Sequence, residues 1–170
     1  MLPHLILAVL ILAASPQISR AAGIATISAY AGTWHSHIEH YKTAYSKARV
    51  EDTNFRNDCW RSAGYFACDQ FVNGPSAALI VFTYDPKGDV YHTYTVPTDG
   101  SPAGSGKLII AGNTWTFPWQ DEDNGKKVYA RVVNVFRDPN TIEFRSEYSL
   151  DNTHWIITGR GIEHRVSTPQ

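Results

Sequence analysis

The sequence is poor in the features that announce most familiar chemistries. Its charge is balanced, with 15 basic against 16 acidic side chains in 170 residues. Its lysines and arginines form no cluster, and "GKK" at 125–127 is only a pair of lysines in a loop. The basic footprint on which nucleic-acid binding leans is therefore missing. Cysteine is scarce: there are two, and they lack the C-x-x-C spacing of a redox pair. After residue 14 no apolar run is long enough to cross a membrane. No G-x-S-x-G elbow marks a nucleophile, and no convincing helical pattern appears after residue 28.

Two loops resemble binding motifs and fail in detail. "SPAGSGKL" (101–108) has Ser101 where a phosphate-binding loop needs its first glycine. Leu108 stands after Lys107 where Ser or Thr belongs, and a strand comes next where a helix is required. "DEDNG" (121–125) brings its glycine one position early for a calcium loop, and Val132 occupies the place of the closing glutamate. Both read as solvated loops.

What the chain does have begins with an unusual N-terminus. Residues 5–14, "LILAVLILAA", are an apolar run too short to span a bilayer, and the small residues of "SRAAG" come after it. This predicts a signal peptide over 1–22, cut near Ala21 or Ala22, and one domain over 23–170. A retained N-terminal anchor is the alternative. The expected location is secreted or periplasmic, with no integral membrane segment in the mature chain. Aromatic residues are dense, with five Trp, nine Tyr and seven Phe, which argues against disorder.

The two cysteines lie in "CWRSAGYFAC" (59–68). A two-residue turn at Ala63-Gly64 sets Arg61 opposite Phe66, Trp60 opposite Ala67 and Cys59 opposite Cys68. That last pair falls at a non-hydrogen-bonded position, where the strands approach closely enough for a disulfide. An exported chain meets oxidising conditions, so a structural Cys59–Cys68 bridge is expected.

Strand signals separated by short turns fill the rest: 77–84, 90–96, 107–111, 114–119, 126–136, 141–150 and 154–165. The cleanest alternation puts Ile142, Phe144, Ser146, Tyr148 and Leu150 on a dry face and Glu143, Arg145, Glu147 and Ser149 on a wet one. With no helix to cover the dry face, the sheet must close on itself or pair with a second sheet. An immunoglobulin-type sandwich would bridge distant strands, whereas these cysteines are local. The expected fold is all-β, an antiparallel up-and-down barrel of about 8–10 strands.

"AGTWHSH" (31–37) resembles the Gly-x-Trp opening of lipocalin-like barrels, the calycin group. The mature chain is also similar to an uncharacterised family of secreted bacterial barrels, through this opening, the "C…G…CDQ" hairpin (59–70), "FTYDP…Y" (82–91) and a late "S-x-D-N-x-x-W" (149–155). The resemblance implies structural roles for Gly32 and Trp34, with Trp34 plugging one end of the barrel. It also implies a basic partner for Trp34, supplied by Arg165 or Arg160. The haem-binding nitrobindins share the architecture, but no motif here places an axial histidine.

The three histidines of "HSHIEH" (35–40) raise the question of a metal. If Trp34 points inward, so do Ser36, Ile38 and His40, leaving His35, His37 and Glu39 outside. Zinc needs at least a third protein ligand, and nothing in the sequence brings His92, His154 or His164 near. No metal and no cofactor is expected. His92 and Tyr94 share a strand face. If that face is inward, they would either polarise a ligand or simply soften a cavity wall.

A calycin-like barrel implies a binding protein for a small apolar or amphiphilic molecule. Candidate ligand contacts are Trp34, Ile38, His92, Tyr94, Phe144 and Tyr148. Two alternatives remain: an envelope interaction protein with a filled core, and a small enzyme using cavity His and Tyr side chains.

Overall fold

The computed structural model describes residues 23–167. The expected signal segment, 1–22, lies outside the described residues. Ten strands form one closed antiparallel barrel: β1 Gly32–His40, β2 Arg49–Arg61, β3 Phe66–Val72, β4 Ser76–Asp85, β5 Val90–Pro97, β6 Gly104–Ala111, β7 Thr114–Asp123, β8 Lys126–Asp138, β9 Thr141–Ser149 and β10 Ile156–Ser167. Each strand pairs with its sequence neighbours, and β10 returns to pair with β1. Closure of these ten strands removes the open sheet edge. Among the described residues no helix is long and apolar enough to cross a membrane.

The β2–β3 hairpin has the expected register. Cys59 faces Cys68, Trp60 faces Ala67 and Arg61 faces Phe66, and the Ser62 amide donates to the Tyr65 carbonyl at 2.9 Å. The two cysteines form a disulfide across a Cα separation of 4.0 Å. The strands run further than expected around 120–125. Asn124 and Gly125 take φ of 50° and 75°, the geometry of a two-residue hairpin turn. Pairs of opposite charge, Asp123 with Lys126 and Glu122 with Lys127, extend the ladder to that turn.

A 3₁₀ helix, Gly23–Tyr30, closes one end of the barrel. Its Ile27 is fully buried among Phe66, Phe82, Tyr91, Leu108 and Trp115, and the Tyr91 hydroxyl donates to the Gly23 carbonyl at 2.9 Å. Beside the helix, Trp34 is fully buried and its indole N–H donates to the Tyr30 carbonyl at 3.1 Å. The Arg165 guanidinium lies 4.2 Å from the centre of the Trp34 ring. It donates to the carbonyls of Ala29 at 2.8 Å, Pro139 at 3.1 Å, and Ala31. Arg160 has the opposite parity and faces out, paired with Glu39.

Not every outward residue is wet. Glu147 points outward from β9 as expected, yet it is buried at 6 % exposure. Arg131 and Arg145 clamp it at 2.5 and 2.6 Å, and Arg131 in turn lies 3.8 Å over the Trp155 ring. Leu150, assigned to the dry face, lies beyond the end of β9 and is exposed.

Barrel closure requires a close approach at β10. Gly161 pairs with Ile38, and a Cβ there would run into the His37 carbonyl and come within 2.8 Å of the Ile38 Cα. Gly161→Ala should therefore lower unfolding free energy by roughly 1–3 kcal/mol, the usual cost of overpacking. Gly104→Ala, where a Cβ meets open space, should stay within about 1 kcal/mol of the parent. Denaturant titration monitored by tryptophan fluorescence checks both.

Candidate functional site

The barrel encloses a cavity of about 440 Å³ between the 3₁₀ helix and the inner faces of β2–β5. Alternation explains its lining. Phe55, Asn57 and Thr53 of β2 stand on the Trp34 side of the sheet. The register carries that face to Gln70 and Val72 of β3, then to Ile80 and Phe82 of β4, then to Thr93 and Thr95 of β5. Phe117, Asn134 and Glu163 complete it from β7, β8 and β10. Apolar atoms supply most of the wall area; Thr53, Thr93 and Thr95 add hydroxyls to it, and the charged and amide groups gather in two places.

Toward the open end, Glu51 accepts from Arg49 at 3.1 Å and is hydrogen-bonded to His40 at 3.2 Å. Burial alone would raise the Glu51 carboxyl; the hydrogen bonds from Arg49 and His40 outweigh it and hold the group below its ordinary value.

At the closed end the amide side chains are already engaged. Asn57 Nδ2 donates to the Tyr30 carbonyl at 3.1 Å, Gln70 Nε2 donates to Asn57 Oδ1 at 3.2 Å, and Asn134 Nδ2 donates to the Tyr30 hydroxyl. The side-chain atoms left there with no partner at all are oxygens. Glu163 Oε2, Asn134 Oδ1 and Ser36 Oγ are buried without a hydrogen-bond partner. Glu163 is 6 % exposed. Removal from water pushes its carboxyl from the ordinary 4.5 up to about 7. The same burial, with the Glu163 charge added, raises the Tyr30 phenol far above its usual range, and the bond from Asn134 only partly offsets this.

The residues expected to bind a ligand fall elsewhere. Trp34 is part of the barrel floor. Ile38, Phe144 and Tyr148 occupy inward register positions on the opposite wall, where Tyr148 packs on Tyr45 with ring centres 4.7 Å apart. The inward placement of His92 and Tyr94 needs correction. They pair with Thr83 and Val81, while Thr93 and Thr95 take the cavity face. Tyr91 sets this parity, because its ring is buried against the 3₁₀ helix. Hence His92 and Tyr94 point away from the cavity. None of the six candidates lines it. The residues that do were missed because inward parity alone does not say where side chains leave a gap.

His35 and His37 face outward beside Asp52, at 3.7 and 2.7 Å, and His154 pairs with Asp151 at 2.6 Å. Among the described residues no three His, Cys, Asp or Glu side chains gather in a way that would hold a metal ion. A second hollow, about 620 Å³, is a surface trough over β8, β9, β10 and β1, edged by Glu143, Arg145, Arg160 and His164. Its buried Arg145 Nε lacks a well-aligned hydrogen bond but is ion-paired to Glu147 at 2.6 Å, so the trough has no counterpart to the unpartnered oxygens of the interior cavity. No protein-family model matches the chain, and no curated protein is detectably similar to it in sequence.

The buried carboxyl has a measurable consequence. Because its folded-state value lies above its ordinary one, its contribution to stability is complete below about pH 4.5 and is lost as the pH rises through about 7. The shift corresponds to about 3 kcal/mol. Glu163→Gln should therefore stabilise the ligand-free protein at pH 8 by up to that amount and give little gain at pH 4. Urea unfolding at the two pH values measures the difference.

Proposed function

We propose that this protein is a binding protein that holds one small, predominantly apolar molecule inside the barrel. The observation that carries the reading is the interior cavity of about 440 Å³, walled by Phe55, Val72, Ile80, Phe82 and Phe117. Ligand sites are typically concave, mostly apolar and furnished with a few placed polar groups. Covering about 300 Å² of apolar ligand surface contributes roughly 7–8 kcal/mol before association and ordering costs are subtracted. The remainder corresponds to micromolar to millimolar affinity, suited to a carrier or sensor. The Cys59–Cys68 bridge supports placing that role in an oxidising compartment, outside the cytoplasm. A filled-core interaction protein fits less well, since the core contains this space. A cavity enzyme loses His92 and Tyr94, the side chains it was to use.

The test is titration with phenylnaphthylamine, a lipophilic fluorophore, expected to saturate at one molecule per chain. Ile80→Trp fills the cavity from β4 and should weaken binding by about tenfold or more with the barrel intact by circular dichroism. A parent protein that never saturates, or a variant that binds as well as the parent, refutes the reading.

A further inference from the structure

Resting on the cavity reading, we propose that the bound molecule carries a protonated amine and seats it against Glu163 at the closed end of the barrel. The inference starts from the imbalance of hydrogen-bonding groups there. Asn57, Gln70 and Asn134 each already direct one amide N–H at another protein atom. The unsatisfied groups include two acceptors that line the cavity, Glu163 Oε2 and Asn134 Oδ1, and Ser36 Oγ, which stands opposite Glu163 in the β1–β10 register. A buried polar group without a partner costs free energy, and a buried charge costs more. A ligand that donates removes that cost, and one that only accepts adds to it. An ammonium brings three N–H donors and the complementary charge, whereas a hydroxyl brings one donor and no charge. A carboxylate or phosphate would meet the ionised Glu163 as a like charge.

Among the described residues no cation of the protein occupies this place. Facing Glu163 are Ser36 from β1 and Ile142 from β9, both uncharged. Asn134 and the buried Tyr30 phenol reach the same end of the cavity. Arg165, two residues along β10, spends its guanidinium on the carbonyls of Ala29, Ala31 and Pro139 and on the Trp34 ring. Arg49 and His40 are held by Glu51. Folding has already removed the carboxyl from water, so the incoming ammonium meets a preformed, desolvated acceptor. The aromatic and aliphatic walls leave room for the molecule's apolar remainder.

Three isosteric probes read the head group: octylamine, octanol and octanoate, each displacing phenylnaphthylamine. At pH 8 octylamine should bind about tenfold or more tighter than octanol, the scale of one charge-assisted hydrogen bond, and octanoate should bind weakest. Glu163→Gln should bring octylamine to the level of octanol and leave octanol unchanged. On the native protein, lowering the pH from 8 to 5 should weaken octylamine but not octanol, because Glu163 gains a proton while the amine keeps its own. Octylamine binding no tighter than octanol, or octanoate binding tightest, overturns the amine assignment. The cavity reading survives that result as long as phenylnaphthylamine saturates. If neither phenylnaphthylamine nor any octyl compound binds, both readings fall. The comparison on the native protein decides the matter even if Glu163→Gln folds poorly.

Discussion

The barrel depends on how its last strand meets its first. Nine of the ten strand pairings join sequence neighbours across short connections, and these need little long-range instruction. The tenth, β1 with β10, joins segments more than a hundred residues apart and must be specified by its own contacts. Arg165 supplies the most specific of them. Its guanidinium covers Trp34 and donates to carbonyls from the 3₁₀ helix and from the β8–β9 turn. A single side chain thereby joins the last strand, the first strand, the end plug and a turn. A cation over an indole face with carbonyl acceptors at its edge satisfies both parts of an arginine.

That seat sets the facing of the neighbouring β10 positions. With Arg165 inward, alternation turns Glu163, Gly161 and Gly159 inward as well. The glycines are accommodated by close approach: Gly161 lies under Ile38, and Gly159 lies near the His40 ring and Ser146. Glu163 has no such relief. It sits between Ser36 and Ile142, and among the described residues no cation turns to meet it. An apolar residue of similar size would remove the desolvation cost there. A buried group in a local conflict with good packing is the kind of exception expected at a functional position. The constraint that closes the barrel thus also delivers a carboxyl into its interior.

Much of this was legible in the sequence. Two-residue periodicity and short turns pointed to a closed barrel of about 8–10 strands, a range that contains the observed ten. The spacing of Cys59 and Cys68 about Ala63-Gly64 yielded a register correct to the residue, because a tight turn leaves few choices. The outward facing of His35 and His37 came from Trp34 by simple alternation. The cavity was not legible, for a physical reason. Parity assigns a residue to one side of a sheet, but a void appears only where several strands present too little volume at the same level. The segment "VYHTYTV" shows the difficulty in miniature. Tyr91, Thr93 and Thr95 form as plausible an inward set as His92, Tyr94 and Val96. The choice was made by a contact 68 residues away in sequence, Tyr91 with Gly23. Glu147 was misread as wet for a similar reason: its cover of Arg131, Arg145 and Trp155 comes from three different segments.

The distribution of bulk around the ring explains why the space lies against β2–β5. On the far side the inward positions carry large groups: Trp115 and Phe117 on β7, Ile142, Phe144 and Tyr148 on β9, and Trp34 and Ile38 on β1. Across β5 and β6 they carry Thr93 and Thr95 facing Gly106 and Gly104. Threonine projects only a short branched side chain and glycine projects none, so the aromatic side chains opposite have nothing to interdigitate with. A barrel of about eight strands is just filled by its own side chains, and ten strands enclose a wider interior. Here the inward glycines and threonines withhold that filling on one side, next to the wall that carries Phe55, Ile80 and Phe82. The void and the unpartnered carboxyl are set by different strands, β5 and β6 in one case and β10 in the other. Their meeting in one cavity is the strongest structural argument that the space has an occupant.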